Sequence, residues 1–285
     1  MSRRLIVTAD DFGLDVAVNE AVERAARVGI LTCASLMVTG PAAADAVERA
    51  RRLPGLAVGL HLVLVDGTPA LPAGEVSRLV GMDGRFRADP LRQGVRLFLS
   101  PRARREARAE MRAQLERFQA SGLALDHVNS HHHFHLHPTV QRILLELAPR
   151  HGIRAVRVPW EPALPGVAPW RAGRLARLAA WIDALQARRL ETRLRRASIK
   201  RNHRVYGLRL SGRMHAARVL DIVRELPEGA SELYLHPVAR PWRSGDPWPA
   251  HYQGLAELEA LLDPEVGAAL RERGALLSSF AEAAE

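Results

Sequence analysis

At least five times along this chain of 285 residues, a short apolar run is followed by a segment with helical apolar spacing. That alternation constrains the fold more than any other feature. The runs Leu5–Ala9, Leu31–Val38, Leu56–Leu62, Leu123–Val128 and Gly152–Pro159 read as strands. Between them, 16–28, 42–53, 102–121 and 138–150 read as helices, with Gly29, Pro54-Gly55 and Pro138 as punctuation. Repeated strand-then-helix units build parallel sheets with helices outside, and roughly 250 residues suffice for one βα barrel. The sequence therefore predicts one α/β TIM-like barrel domain over 1–285. Residues 66–87 read as a long loop over one mouth. A segment at about 163–214 breaks the rhythm and reads as a helical insertion. The pattern then resumes with a helix 215–225, a strand 230–235, helices 255–262 and 265–273, and a closing strand 276–280.

Polar residues collect where the strands end, which is where βα barrels place their chemistry. The first strand runs into Asp10-Asp11-Phe12-Gly13. Two adjacent carboxylates repel, so the pair suggests a cation that one ligates while the other serves as a base; the plainer reading is a helix cap and turn. His61 ends the third strand. Six of the twelve histidines lie between His127 and His137, including His131, His132, His133 and His135. Imidazoles so placed serve as metal ligands or proton carriers. Arg157 and Glu161 follow the fifth run, and His236 follows the strand 230–235. One carboxylate plus two imidazoles makes a facial metal site that polarises a carbonyl; a second carboxylate and a separate histidine supply base and acid. No Gly-x-Ser-x-Gly elbow, phosphate loop or Gly-x-Gly-x-x-Gly occurs, which removes acyl-serine, nucleotide and dinucleotide chemistry.

The net charge of +10 is concentrated. Between Arg171 and Arg204 stand eleven Arg or Lys against only Asp183 and Glu191. Leu175, Leu178, Ile182 and Leu185 share one helical face there, with Trp181 beside them. The segment reads as an ordinary surface helix or as a basic amphipathic element for an anionic membrane or a lipid-linked substrate. A nucleic-acid partner is disfavoured, because the aromatic interleaving of such modules is missing. A single cysteine, Cys33, no secretory start and no run of roughly 20 apolar residues point to a cytoplasmic protein.

Thr8-Ala9-Asp10-Asp11-Phe12-Gly13, Gly59-Leu60-His61-Leu62, Asn129-Ser130-His131-His132-His133 and Leu235-His236-Pro237, in this order, resemble the YdjC/ChbG family of carbohydrate deacetylases. The resemblance implies a distorted barrel, one divalent metal ion (Zn, Mg, Mn or Co), and removal of N-acetyl groups from amino sugars. By motif, Asp10 would be the base, Asp11, His61 and His131 the metal ligands, and His236 the acid, with Arg157 supporting the base. Residues 157–162, Arg-Val-Pro-Trp-Glu-Pro, and the basic insertion resemble the hopanoid-biosynthesis-associated subgroup, HpnK. That implies an N-acetylglucosaminyl hopanoid substrate and contact with the inner membrane surface through Arg171–Arg204; the alternative is a soluble chitooligosaccharide such as diacetylchitobiose. Were the His cluster extended, His133 and His135 would point to the side of His131 as supporting or substrate-facing groups, and His132 away from it. Glu161 joins them as a candidate at the mouth.

Overall fold

The computed structural model describes residues 2–162 and 174–283. The start of the expected insertion, 163–173 with Arg171, lies outside the described residues, as do the side chains of 174–176.

The first strand, β1 (Arg3–Phe12), is buried from Leu5 onward because it forms the centre of a parallel sheet covered on both faces. It pairs with β2 (Cys33–Leu36) on one side and β6 (Gly229–Leu235) on the other. With β3 (Ala57–Leu62), β4 (Leu125–Ser130) and β5 (Arg204–Tyr206), the order is β4-β3-β2-β1-β6-β5.

The two edges of this sheet are joined by residues 154–160, an irregular stave. On one side the Val128 N–H donates to the Ala155 carbonyl (3.0 Å) and the Arg157 N–H to the Val128 carbonyl (3.1 Å). On the other, the Val156 N–H donates to Lys200 (3.0 Å) and the Val205 N–H to Trp160 (2.9 Å). A distorted barrel results. The sequence predicts a regular strand over 152–159, but only single bridges form. The reason is local: the buried Asn202 side chain substitutes for a neighbouring strand, accepting from the Val158 N–H (2.7 Å) and donating to its carbonyl (3.0 Å).

Helices α1 (Val16–Val28), α2 (Ala43–Arg51), α3 (Pro90–Leu99), α4 (Pro101–Ala120) and α5 (Pro138–His151) cover the outside of the first half. Asp15 caps α1 by accepting from the Ala17 N–H (2.8 Å). The loop 66–87 is held by polar side chains on the inner face of α4 and by Gln93 of α3. Gln114 both accepts from and donates to the Val63 backbone, Glu110 accepts from the Ala70 and Leu71 N–H groups, and Gln93 donates to the Leu64 and Leu79 carbonyls. A loop this long stays in place because its backbone groups find partners.

Within the expected insertion, the described residues begin with one long helix. Helix α6 (Arg174–Arg196) buries Ala187, Leu190 and Leu194, whereas Leu178, Trp181 and Ile182 remain exposed. Lys200 and β5 belong to the barrel wall, so 199–206 is not part of the excursion. Helices α7 (Ala216–Arg224), α8 (Gly254–Leu262) and α9 (Pro264–Glu272) complete the layer. The predicted closing strand is β7 (Ala275–Leu277), which pairs with Arg3–Leu5; it stops before Phe280, which opens the short α10 (Phe280–Ala283). No helix among the described residues is long and apolar enough to cross a membrane.

Candidate active site

In a regular strand Asp10 and Asp11 would face opposite sides. They do not, because Asp11 is left-handed (φ 62°) at a register shift between Ala9 and Phe12. The bulge turns the second carboxylate toward the mouth as well. Gly13 (φ 96°) then folds the chain into α1, with its N–H donated to Asn19 Oδ1 (2.7 Å).

Asp10 is buried, and Arg157 grips it with two bonds: Nη1 to Oδ2 (2.6 Å) and Nη2 to Oδ1 (3.0 Å). The same guanidinium holds Glu232 through Nε (2.9 Å) and Nη2 (2.6 Å). One cation therefore answers two buried carboxylates, and Thr8 Oγ1 donates a further bond to Glu232 (2.8 Å). Burial alone would raise the Asp10 pKa; the Arg157 charge and hydrogen bonds overcome it and hold the carboxyl well below the usual range. The Arg157 pKa is raised in turn by Asp10 and Glu232, against burial.

Asn129 fixes the histidine tautomers. Its Nδ2 donates to Asp10 Oδ1 (3.0 Å) and to Ser35 Oγ (2.8 Å), so its Oδ1 is the atom facing His61 Nδ1 at 2.7 Å. His61 must then carry its proton on Nδ1, which leaves the Nε2 lone pair aimed at Asp11 Oδ1, 3.3 Å away. Farther inside, Ser35 donates to His127 Nε2 (3.1 Å), and His127 Nδ1 donates to Asp126 (2.9 Å). Gly59 is required here, since a Cβ would overlap the His127 ring.

The His cluster is not extended. Residues His131–Leu136 form a short 3-10 helix with His132 and His133 left-handed (φ 53° and 51°). The cause is Ser130, whose Oγ accepts from the His135 N–H (2.8 Å) and donates to His135 Nδ1 (2.7 Å), folding the loop back. The expected grouping of His133 and His135 with His131 is therefore corrected. His131 alone reaches Asp11, with Nδ1 3.1 Å from Oδ1. His132 is exposed beside Asp66 (3.7 Å). His133 lies against the Tyr234 hydroxyl (3.3 Å). His135 is buried and donates its Nε2–H to the Arg157 carbonyl (3.0 Å), so both nitrogens are occupied and neither faces the mouth. Burial and the Arg157 charge push its pKa down to about 3.

Asp11 Oδ1 is buried and has no hydrogen-bond partner among the described residues, although the His131 and His61 nitrogens lie beside it. Burial alone would raise its pKa; the adjacent His131 outweighs burial and holds the carboxyl well below the ordinary value. Ligand atoms of Asp11, His61 and His131 all lie within 4.8 Å of one another. An orphaned carboxylate oxygen facing two imidazole nitrogens, one with its lone pair fixed toward it, fits a divalent cation. His236 completes the wall, with Nε2 4.0 Å from Asp11 Oδ2 and a buried Nδ1 that has no partner among the described residues. Burial lowers its pKa. Its backbone N–H donates to Glu257 (2.6 Å), a carboxyl that burial pushes up to about 7.

Glu161 does not face the site. Its carboxylate accepts the N–H groups of Gly207, Leu208 and Arg209 (2.8, 3.0 and 2.9 Å) and braces the loop after β5. Sequence patterns assign no role to Asn129, Glu232 or Glu257, each of which bonds to a site residue. Glu232 left a signal, because a carboxylate within the apolar strand 230–235 is costly without a buried cation.

A parallel barrel with carboxylates and histidines converging at the C-terminal ends of its strands has the α/β architecture that places active sites at that face. The model of YdjC-like proteins matches residues 4–272, and the chain belongs to that family. It is 43% identical over 157 residues to the carbohydrate deacetylase of Brevibacillus brevis, a match covering 55% of this chain and 60% of that protein. It is 31% identical to the chitooligosaccharide deacetylase of an Enterobacter species, with 98% and 99% of the two chains covered. The crystal structure of an Enterococcus faecalis V583 protein, named for cellobiose-phosphate cleavage, shares the fold with a TM-score of 0.75 at 23% identity over 98% of each chain.

Proposed function

We propose that this protein is a metal-dependent carbohydrate N-deacetylase that hydrolyses the acetamide of an acetylated amino sugar. The observation that carries the reading is a small cavity, about 10 Å³, onto which Asp10, Asp11 and His236 open and whose other walls are Leu14, Val18, Val238 and Trp248. A lining of titratable and apolar side chains together suits an acetyl group, with its methyl in a space about one water in size. The names of the Brevibacillus and Enterobacter relatives support the same activity.

Asp11, His61 and His131 would hold the cation, which supplies carbonyl polarisation and a more acidic water. Mixed imidazole and carboxylate donors suit Zn, Mn or Co, and Mg less well. Asp10, kept ionised by Arg157, accepts a proton from the attacking water. Arg157 and Asn129 prevent its carboxylate from rotating. His236, whose Nδ1 has no hydrogen-bond partner among the described residues, passes a proton to the leaving amine. The acyl C–N bond breaks, and acetate and the free amino sugar depart.

Two substrates have support. The exposed Leu178, Trp181 and Ile182 beside the arginines of α6 suit a lipid-linked acceptor such as an N-acetylglucosaminyl hopanoid, reached from the cytoplasm at the inner membrane surface. The Enterobacter name supports a soluble chitooligosaccharide. Acetate release is measured from diacetylchitobiose and from the acetylated hopanoid in vesicles, with metal supplied. Release from the sugar alone retires the lipid-linked substrate, and release from neither retires the deacetylase reading.

A further inference from the structure

The outer helical layer contains a second and much larger cavity, about 660 Å³, which shares no lining residue with the site above. Four arginines line it: Arg104 of α4, Arg142 of α5, and Arg193 and Arg196 of α6. Phe98 and Leu145 supply apolar wall, and Pro138 and Thr139 bring the first turn of the 14-residue α5 to its edge.

Elsewhere on the surface several arginines are answered by a carboxylate: Arg27 by Glu23, Arg49 by Asp45, Arg108 by Glu146, Arg201 by Glu191. Among the described residues no carboxylate pairs with Arg104, Arg142, Arg193 or Arg196. Arg193 is aimed instead by a neutral acceptor, Gln141 Oε1 (2.9 Å), and Gln141 is itself buried and anchored by donating to the Leu136 and Gln186 carbonyls. A neutral clamp orients the guanidinium without cancelling its charge. Like charges gathered around a concavity, beside the positive end of a helix, are stabilised by a bound anion, and guanidinium groups match phosphate oxygens.

The rim adds a second requirement. Leu91, Val95, Phe98 and Leu99 lie on one face of α3 and are 77%, 49%, 66% and 71% exposed. Phe98 joins that stripe to the cavity wall. A phosphate pocket bordered by a helical face of uncovered apolar side chains matches an amphiphile and not a small soluble ester.

We propose that the cavity binds the phosphate of an anionic phospholipid at a bilayer surface, with the apolar face of α3 against the acyl region. This stands independently of the deacetylase reading and is tested without an activity assay.

The full chain is sedimented with phosphatidylcholine vesicles, with and without phosphatidylglycerol. Binding is expected only with the anionic lipid. Arg104→Gln with Arg142→Gln should weaken it about 30-fold, since each basic residue near an anionic surface is worth roughly 1 kcal/mol. Leu91→Ser with Phe98→Ser should weaken it as well. Arg24→Gln with Arg271→Gln removes two charges from α1 and α9 and should leave binding within about twofold. Circular dichroism and thermal melting establish that each variant is folded. The proposal is overturned by wild-type protein that does not bind, by equal losses in the two arginine pairs, or by an undiminished Arg104/Arg142 variant. It is also overturned if glycerol phosphate raises the melting temperature while vesicles are ignored, which would assign the cavity to a soluble ester.

Discussion

Arginine plays opposite parts in two regions of this molecule. At the barrel mouth, Arg157 is fully buried and all three guanidinium nitrogens donate to Asp10 or Glu232. Across α4, α5 and α6, four arginines converge on open space with no carboxylate partner among the described residues. A paired, desolvated guanidinium positions its partners and is costly to remove; an unpaired one at a surface contributes little to folding and remains available to a ligand. Substitutions in the two regions should therefore separate function, stability and binding.

The largest effects belong to the carboxylates that Arg157 and the histidines hold. Asp10→Asn should retain metal and lose about 10²–10⁴-fold in turnover, the usual weight of a general base. Asp11→Ala should lose the metal itself. Metal content after gel filtration, measured beside acetate release, checks both; metal retained by Asp11→Ala and lost by Asp10→Asn would reverse the two roles.

Next comes the cation between them. Arg157→Gln leaves Asp10 and Glu232 buried without a charge to answer them, and should destabilise the fold by about 3–5 kcal/mol in urea unfolding. Arg142→Gln in the outer cavity should change stability by no more than about 0.5 kcal/mol. Similar losses in the two variants would remove the distinction between positioning and binding arginines.

A smaller effect tests the tautomer chain. Asn129→Leu removes both the acceptor that fixes the His61 proton and the donor to Asp10. Metal affinity should fall about 10–100-fold, the usual scale for a partner of a ligating histidine. Isothermal titration with Zn or Mn measures it, and unchanged affinity would mean that His61 orients itself.

What could be read from the chain divides along the same line. Strand-helix alternation is local, and helix α1 occupies the predicted bounds. The strand exits bring Asp10, Asp11, His61, His131 and His236 together because a parallel barrel places every such exit on one face. What escaped depends on backbone conformations without a periodic signature or on distant partners. Nothing in Asp10-Asp11 announces the left-handed turn at Asp11. The period-two argument for His131, His133 and His135 fails because Ser130 captures His135 and winds the segment into a 3-10 turn. Arg157 was legible as a partner of Asp10, yet its second carboxylate, Glu232, lies 75 residues away. Asn129 stands inside the Asn129–His133 motif, but its role follows only once Asp10, Ser35 and His61 surround it. The arginine cavity was partly visible as the charge excess of α6; Arg104 and Arg142 join it only through packing.

His135 gives the finest test of the buried region, because its coupling to Arg157 runs through one backbone carbonyl. In the folded protein it must stay neutral, since Nδ1 accepts from Ser130 while Nε2 donates. Its pKa is about 3 there, against an ordinary value of 6.5. As pH falls below 6.5 the unfolded chain takes up a proton that the folded chain refuses. This contribution to stability is complete above 6.5 and is lost progressively toward pH 3, at about 1.4 kcal/mol per pH unit. Glutamine at this position keeps a donor and an acceptor but does not titrate. His135→Gln should therefore flatten the stability-against-pH line between about pH 6 and pH 4 by close to one proton, as read from urea unfolding at each pH. Arg142→Gln, which removes a group that stays protonated throughout, should leave that slope unchanged. An unaltered slope in His135→Gln would mean that the loop opens and protonates His135 before the barrel unfolds, and the mouth would then be the less rigid of the two regions.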